Sequence, residues 1–155
     1  MNNALNYVYI GHTDYDKRYS LNTDIDNAYE QFLLVEKYFG KTSGNPVFHF
    51  VIVYDAKSTW GDNYERAAYF SDRYQLVYCI HRKPCRKKYN GCASVYHAHF
   101  IMNSVSYADS KMFSGNRTEI YALLECIKRV TGDKFWIVEY GSGKQNGYNS
   151  DYDTV

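Results

Sequence analysis

The sequence predicts an α+β fold: a mostly antiparallel sheet with helices packed on one side of it, in two layers. Short runs rich in β-branched and aromatic residues, which favour strands, alternate with segments of helical periodicity. Two strand-like runs, 76–81 and 95–105, are separated by a segment with an Asn-Gly turn signal, which favours antiparallel pairing. With 155 residues, one domain is expected. It is placed at 1–140, and the Gly-, Asn- and Ser-rich stretch 141–155 is predicted to be a flexible tail.

Three helices are predicted from periodicity and capping residues. Asp24 or Asp26 can cap the first helix, which ends at Gly40. Its apolar face consists of Ala28, Phe32, Val35 and Phe39. A second helix is predicted at 63–73, and a third begins at Asn116.

The strand pattern is clear in four places and ambiguous in one. Strands are predicted at 47–54, 76–81, 95–105 and 135–140. Residues 4–10 are apolar and fit either a short strand or a helical turn. The polar stretch 11–23 is predicted to be a loop.

The composition excludes several classes of protein. Lys plus Arg is 18 and Asp plus Glu is 17, so the net charge does not point to an acidic or a basic partner. No apolar run approaches the roughly 20 residues of a membrane-spanning helix, and no signal peptide opens the sequence. The four cysteines match no zinc-ribbon spacing. Reduced thiols in the cytoplasm are the simplest interpretation, with a Cys85–Cys92 disulfide as the alternative.

Local charge is more informative than net charge. Five bases fall within the seven residues 82–88, and they are Arg82, Lys83, Arg86, Lys87 and Lys88. Pro84 and the Asn-Gly pair that follows favour a loop or a hairpin tip. Beside a metal site, such a loop would attract the phosphates of a nucleic acid. The alternative is a solvated hairpin tip that binds nothing.

Three histidines form a candidate metal site. Alternation along a strand places His97 and His99 on the same face, about 7 Å apart at their Cα atoms. His81 lies on the preceding strand, and if the two strands are neighbours the three imidazoles meet. Three protein ligands with open positions are typical of a catalytic metal site. The alternative is that these histidines are ordinary packed or exposed side chains.

The order of several motifs resembles that of the plasmid mobilisation relaxases, HUH-type endonucleases that nick one DNA strand at a transfer origin. The metal motif of that family is a His, then a His-x-His pair, then an Asn four residues on. Here these are His81, His97, His99 and Asn103. Further matching segments are 27–32, 39–41, the aromatic-His strand Val47-Phe48-His49-Phe50 and the tyrosine segment Leu5-Asn6-Tyr7-Val8. The resemblance runs from about residue 4 to about residue 140.

The resemblance implies a site and a chemistry. Tyr7 would be the nucleophile, with Tyr9 as the second candidate among the 18 tyrosines, and a phosphotyrosine ester would keep the bond energy for rejoining. The family implies magnesium or manganese, while the imidazole ligands make zinc, cobalt or nickel the alternatives. Asn103 would orient a ligand or a water, and His49 would contact phosphate or the tyrosine; a structural role is the alternative for each. The partners would be single-stranded DNA at a transfer origin and accessory mobilisation proteins.

Two other functions stay open. A rolling-circle replication initiator or transposase of the same superfamily would share the metal site but carry its tyrosine on a helix after the His pair, where Tyr121 is the candidate. A non-catalytic DNA-binding remnant is favoured by the bases that stand between His81 and His97, in place of the acidic residues usual in the family.

Overall fold

The computed structural model describes residues 4–6, 8, 18–54, 72–89, 92–122, 135–139 and 146–149. At 51–54, 81–89, 92–97, 135–139 and 146–149 it describes the backbone alone. Within the described residues, no helix is long and apolar enough to cross a membrane.

One antiparallel sheet of six strands organises the described part of the chain. The strands are β1 (Arg18–Leu21), β2 (Val47–Tyr54), β3 (Leu76–Tyr89), β4 (Cys92–Asn103), β5 (Phe135–Glu139) and β6 (Asn146–Asn149). Their order across the sheet is β1-β3-β4-β2-β5-β6. The strands β3 and β4 pair along a long hairpin, and β2 pairs with the other edge of β4. Together with the helices that pack on this sheet, the arrangement confirms the predicted α+β class.

A row of stacked aromatic rings fixes the register of the four strands from β1 to β2. Tyr19, Tyr78, Phe100 and Phe50 are partners from strand to strand. Their ring centroids are 5.0, 5.1 and 5.1 Å apart in that order. Cross-strand aromatic pairs stabilise a sheet, and a slip by one residue would turn these rings to the opposite face. The row therefore also determines which residues of β2, β3 and β4 lie opposite one another.

The sheet has two buried faces. The aromatic face carries even-numbered residues of β2, β3 and β4, among them Phe50, Tyr78 and Phe100, together with Ile120. The other face, called the α1 face from here on, buries a second cluster. Its members are Val47, Val77, Cys79 and Ile101 from the sheet and Leu5, Val8, Ala28 and Phe32 from helical segments. Because both faces are buried, each needs its own cover.

Helix α1 (Ala28–Tyr38) covers the α1 face. Its buried residues are Ala28, Phe32 and Glu36, at the four-residue spacing that puts side chains on one side of a helix. The predicted helix is confirmed, although the apolar pattern did not predict that a glutamate faces inward. Burial raises the pKa of the Glu36 carboxyl. The N-cap residue is Asn27, not one of the two aspartates that the sequence suggested.

Helices are predicted on one side of the sheet, but the described helical segments lie on both sides. Residues 4–6 and 8 are helical and pack, like α1, against the α1 face. The helical residues 117–122 lie against the aromatic face, where Ile120 is buried. The segment 117–122 begins after Asn116, as predicted, and Asn116 is its N-cap, since its Oδ1 accepts the backbone N–H of Glu119 at 3.0 Å.

Two strands form where the pattern predicts none. The strand β1 falls in the polar stretch 11–23, and β6 falls in the predicted tail 141–155. Both are four-residue strands at the edges of the sheet, where backbone pairing with one neighbour suffices and the pattern of an inner strand is not needed. The domain boundary at residue 140 stays a prediction. The predicted helix 63–73 falls almost wholly outside the described residues.

Candidate active site

The sheet register brings the three predicted ligand positions together. His81 is the direct partner of His97, and Cys79 is the direct partner of His99. Direct partners share a face of the sheet, with Cα atoms about 4.5–5.5 Å apart, so positions 81, 97 and 99 all lie on the α1 face. This spacing suits three imidazoles that bind one ion. The side chains of His81 and His97 lie outside the described part of the structure, and their role as ligands stays a prediction.

The imidazole ring of His49 contacts the ring of His99. The Nδ1 atom of His99 lies 3.1 Å from the Nε2 atom of His49, which is hydrogen-bond distance. His49 is the partner of Ile101 on the neighbouring strand, so it lies on the α1 face as well. Burial lowers the pKa of His49 to about 4, and its ring is therefore neutral at pH 7. The sequence pattern placed His49 on a strand but missed this contact, since it joins two residues 50 positions apart.

Cys79 lies opposite His99, and its thiol is protonated at pH 7 in the metal-free protein. It is a free, buried cysteine, and burial raises the pKa of its thiol to about 11. The thiolate, which is the form that binds metals, is therefore scarce at pH 7. Among the described side chains, no three His, Cys, Asp or Glu residues are close enough to hold a metal ion. The alternative Cys85–Cys92 disulfide falls outside the described side chains.

The N-terminal segment docks on the same face as the histidine positions. Leu5 and Val8 are 1% and 3% exposed, and they pack in one cluster with Phe32 of α1 and Cys79 of β3. The segment that contains the predicted nucleophile is thus anchored on the α1 face by the residues on either side of position 7. Tyr7 and Tyr9 themselves lie outside the described residues.

Asn103 links α1 to the sheet. It is fully buried, and its Nδ2 donates to the carbonyl oxygen of Phe32 at 3.3 Å and to Oε1 of Gln75 at 2.9 Å. Its Oδ1 accepts the backbone N–H of Val105 at 3.0 Å. Asn103 is four residues from His99 along the strand, about 13 Å away. These contacts favour the structural alternative for Asn103, which holds α1 against the face of the sheet that carries the histidine positions.

Replacing Asn103 with Ala should lower the free energy of unfolding by about 2–4 kcal/mol, because the buried groups that it satisfies lose their partner. Asn27→Ala is the matched control, since Asn27 is exposed and its side chain makes no capping hydrogen bond. The control should change stability by less than about 0.5 kcal/mol. Urea denaturation measures both variants, and equal losses would contradict the role of Asn103 as a link.

The basic segment forms part of the hairpin rather than a loop. The sequence is compatible with a loop or with a hairpin tip. In the structure, β3 runs through the segment to Tyr89, which pairs with Cys92 at the start of β4. The register shifts between Pro84 and Tyr89, so residues 85–88 of β3 face the single residue Ala93 of β4. A bulge of this kind bends a strand and accommodates a proline. The predicted DNA-binding bases therefore lie on an arm that extends from the pair His81–His97.

Tyr121 lies on the aromatic face of the sheet, opposite to the α1 face that carries the histidine positions. It packs against the cluster of the aromatic face, and its hydroxyl accepts a hydrogen bond from Nη2 of Arg117 at 3.3 Å. The guanidinium of Arg117 also stands 5.4 Å from the centre of the tyrosine ring. Since His99 is on the opposite face, this geometry disfavours Tyr121 as a nucleophile that would work with the three histidines.

Comparison with known families gives one match. A model described as the nuclease domain of the MobA/VirD2-like relaxases matches residues 9–134. This range includes the hairpin with its three histidine positions and Asn103, and it begins at Tyr9, two residues after Tyr7. Searches of curated proteins and of solved structures found no match.

Proposed function

The chain belongs to the MobA/VirD2-like relaxases, a family whose nuclease domain nicks DNA, and on this basis we propose that it cuts and rejoins one strand at the transfer origin of a plasmid or mobile element. The reaction is a transesterification of the HUH type, with a divalent metal ion and a 5′-phosphotyrosine intermediate. The observation that carries the proposal is the register of the β3–β4 hairpin. It places His81 directly opposite His97, with His99 on the same face.

The donor set fits a divalent cation. His81, His97 and His99 would hold the ion, and the neutral imidazoles leave its positive charge undiminished. When bound, the ion would polarise the scissile phosphate and stabilise the charge that grows on its oxygens. Magnesium or manganese is expected from the family, and zinc, cobalt and nickel are the alternatives that imidazole ligands favour.

Tyr7 would supply the nucleophile. Its hydroxyl oxygen forms the new bond to phosphorus, the bond from phosphorus to the 3′ oxygen breaks, and the phenolic proton passes to that leaving oxygen. Attack of a 3′ hydroxyl on the phosphotyrosine reverses the exchange and rejoins the strand. A tyrosine with an ordinary pKa near 10 is a weak nucleophile. It would therefore have to stand beside the cation, and the packing of Leu5 and Val8 on the α1 face supports this role for Tyr7.

The proposal is tested by a covalent adduct. A single-stranded oligonucleotide that contains the cognate origin, labelled at its 3′ end, is incubated with the protein and manganese and then run on a denaturing gel. A labelled band at the mass of protein plus DNA is expected, and it should disappear when the metal is chelated. Salt-dependent binding without any adduct would support the non-catalytic remnant instead. Cut DNA without an adduct would indicate hydrolysis rather than transesterification.

Replacing Arg86, Lys87 and Lys88 with Ala should weaken binding of every oligonucleotide, whatever its sequence. Phosphate contacts carry no sequence information, and loss of up to about three of them should reduce the slope of log K against log salt by about 2. A triple variant of the exposed residues Lys37, Lys41 and Lys111 has the same change in net charge and is the matched control. Filter binding over a range of salt measures both. If the two variants have the same slope, the hairpin arm does not contact DNA.

A further inference from the structure

His99 stands between His49 and the other two histidine positions along the sheet. His49 is the partner of Ile101, His99 is the partner of Val51, and His97 is the partner of Val53. Measured along the strand direction on the α1 face, His49, His99 and His97 therefore follow one another at intervals of two residues, about 7 Å each. The Nδ1 atom of His99 is turned to His49, at 3.1 Å. With Nδ1 engaged by His49, Nε2 is the nitrogen of the His99 ring that could bind a metal ion.

At the distance of 3.1 Å between the two ring nitrogens, only one arrangement of protons leaves His99 able to bind a metal through Nε2. Two neutral imidazoles can share one proton across this gap, carried either by Nε2 of His49 or by Nδ1 of His99. A histidine that binds a metal through Nε2 must have that atom unprotonated, so its single proton sits on Nδ1. In that tautomer His99 is the donor and His49 is the acceptor. The opposite assignment would put the proton of His99 on Nε2, the nitrogen that the ion would need.

We propose that His49 is a positioning residue that fixes the tautomer and the ring orientation of His99 by accepting its Nδ1–H on Nε2. The usual acceptor behind a metal-binding histidine is a carboxylate or a backbone carbonyl; here a neutral imidazole takes that place. It orients the ligand without adding negative charge, which suits a site that must attract the phosphate of DNA. This inference rests on the proposed metal site, but the tautomer of His99 exists whether or not a metal binds.

The first test needs no variant and no metal. A long-range ¹H–¹⁵N spectrum of the full-length, metal-free protein at pH 7.5 distinguishes a protonated from an unprotonated nitrogen in each ring. The Nδ1 of His99 is expected to be protonated and its Nε2 unprotonated. A proton on Nε2 of His99 in the native protein would overturn the proposal. This result is independent of catalysis and of DNA.

The second test separates positioning from packing and from direct ligation. His49→Phe keeps a ring but removes the acceptor, and it should weaken manganese or cobalt binding by about 10- to 100-fold in calorimetry. His49→Gln places an amide oxygen near the position of Nε2 and should retain affinity within a few-fold of the native protein. Native affinity in His49→Phe would contradict the proposal. Equal losses in both variants, with loss of a nitrogen ligand from the cobalt spectrum, would make His49 a direct ligand and overturn it as well.

Failure of the proposed function is distinguishable from failure of this inference. If the native protein binds neither ion, or binds them equally well after His97→Ala, the metal site itself is wrong. The tautomer of His99 in the metal-free protein then still decides whether His49 fixes the proton position and the orientation of the His99 ring.

Discussion

Replacing His97 with Ala is expected to abolish both tight metal binding and formation of the covalent adduct. His97 lies at the centre of the candidate site, directly opposite His81 and two residues from His99. Loss of one of three ligands leaves the ion with two imidazoles. Removing a residue that only orients a ligand typically lowers metal affinity by about 10- to 100-fold. The fall in manganese affinity should therefore be larger than this in His97→Ala. Calorimetry measures the affinity, and the adduct assay measures the chemistry.

Thermal stability gives an independent measurement of the same variant. An ion that binds only the folded protein stabilises it by about 2.7 kcal/mol at one hundred times its Kd, so manganese should raise the melting temperature of the native protein and not that of His97→Ala. His12→Ala is the control, because His12 is the one histidine of the five that the proposed site does not use. If His97→Ala is stabilised as strongly as the native protein, His97 is not a ligand.

The alternation of the histidine strand was readable from sequence, but its neighbours were not. His97 and His99 share a face in any strand, whatever it pairs with. Whether His81 meets them depends on the register of β3 against β4, which the stacking of Tyr78 on Phe100 fixes, just as the stacking of Phe100 on Phe50 fixes the register of β4 against β2. Those aromatic rings come from three strands, and a single sequence does not state which of its many aromatic residues stack. The sequence could therefore predict the ligands only on condition that the strands are neighbours.

Contacts across the sheet account for what the sequence analysis missed. The hydrogen bond between His49 and His99 requires β2 to pair with β4 rather than with β3, which follows it in the chain. The bonds of Asn103 reach partners 71 and 28 residues away. In the basic segment, Pro84 favours a loop or a hairpin tip, but a shift in register allows the strand to continue past it. Each case depends on a residue or a strand that is distant in the sequence, which local periodicity cannot identify.

Replacing Tyr7 with Phe is expected to abolish the covalent adduct while leaving oligonucleotide binding and stability unchanged. Leu5 and Val8 are buried on the α1 face, so the segment that carries Tyr7 is docked on the side of the sheet where positions 81, 97 and 99 lie. Phe keeps the aromatic ring and removes only the hydroxyl, so the packing of the segment should survive. Without the hydroxyl oxygen no ester to the 5′ phosphate can form, and the loss should be complete rather than partial.

Tyr9→Phe is the matched control for the nucleophile, because it makes the same chemical change two residues along the same segment. It should form the adduct at a rate close to that of the native protein. If instead the adduct survives in Tyr7→Phe and is lost in Tyr9→Phe, the nucleophile moves by two residues and the mechanism stands. Peptide mapping of the labelled adduct decides between them directly, since the modified tyrosine carries the phosphate. Attachment at Tyr121 would contradict both, because that residue packs on the aromatic face, away from the histidine positions.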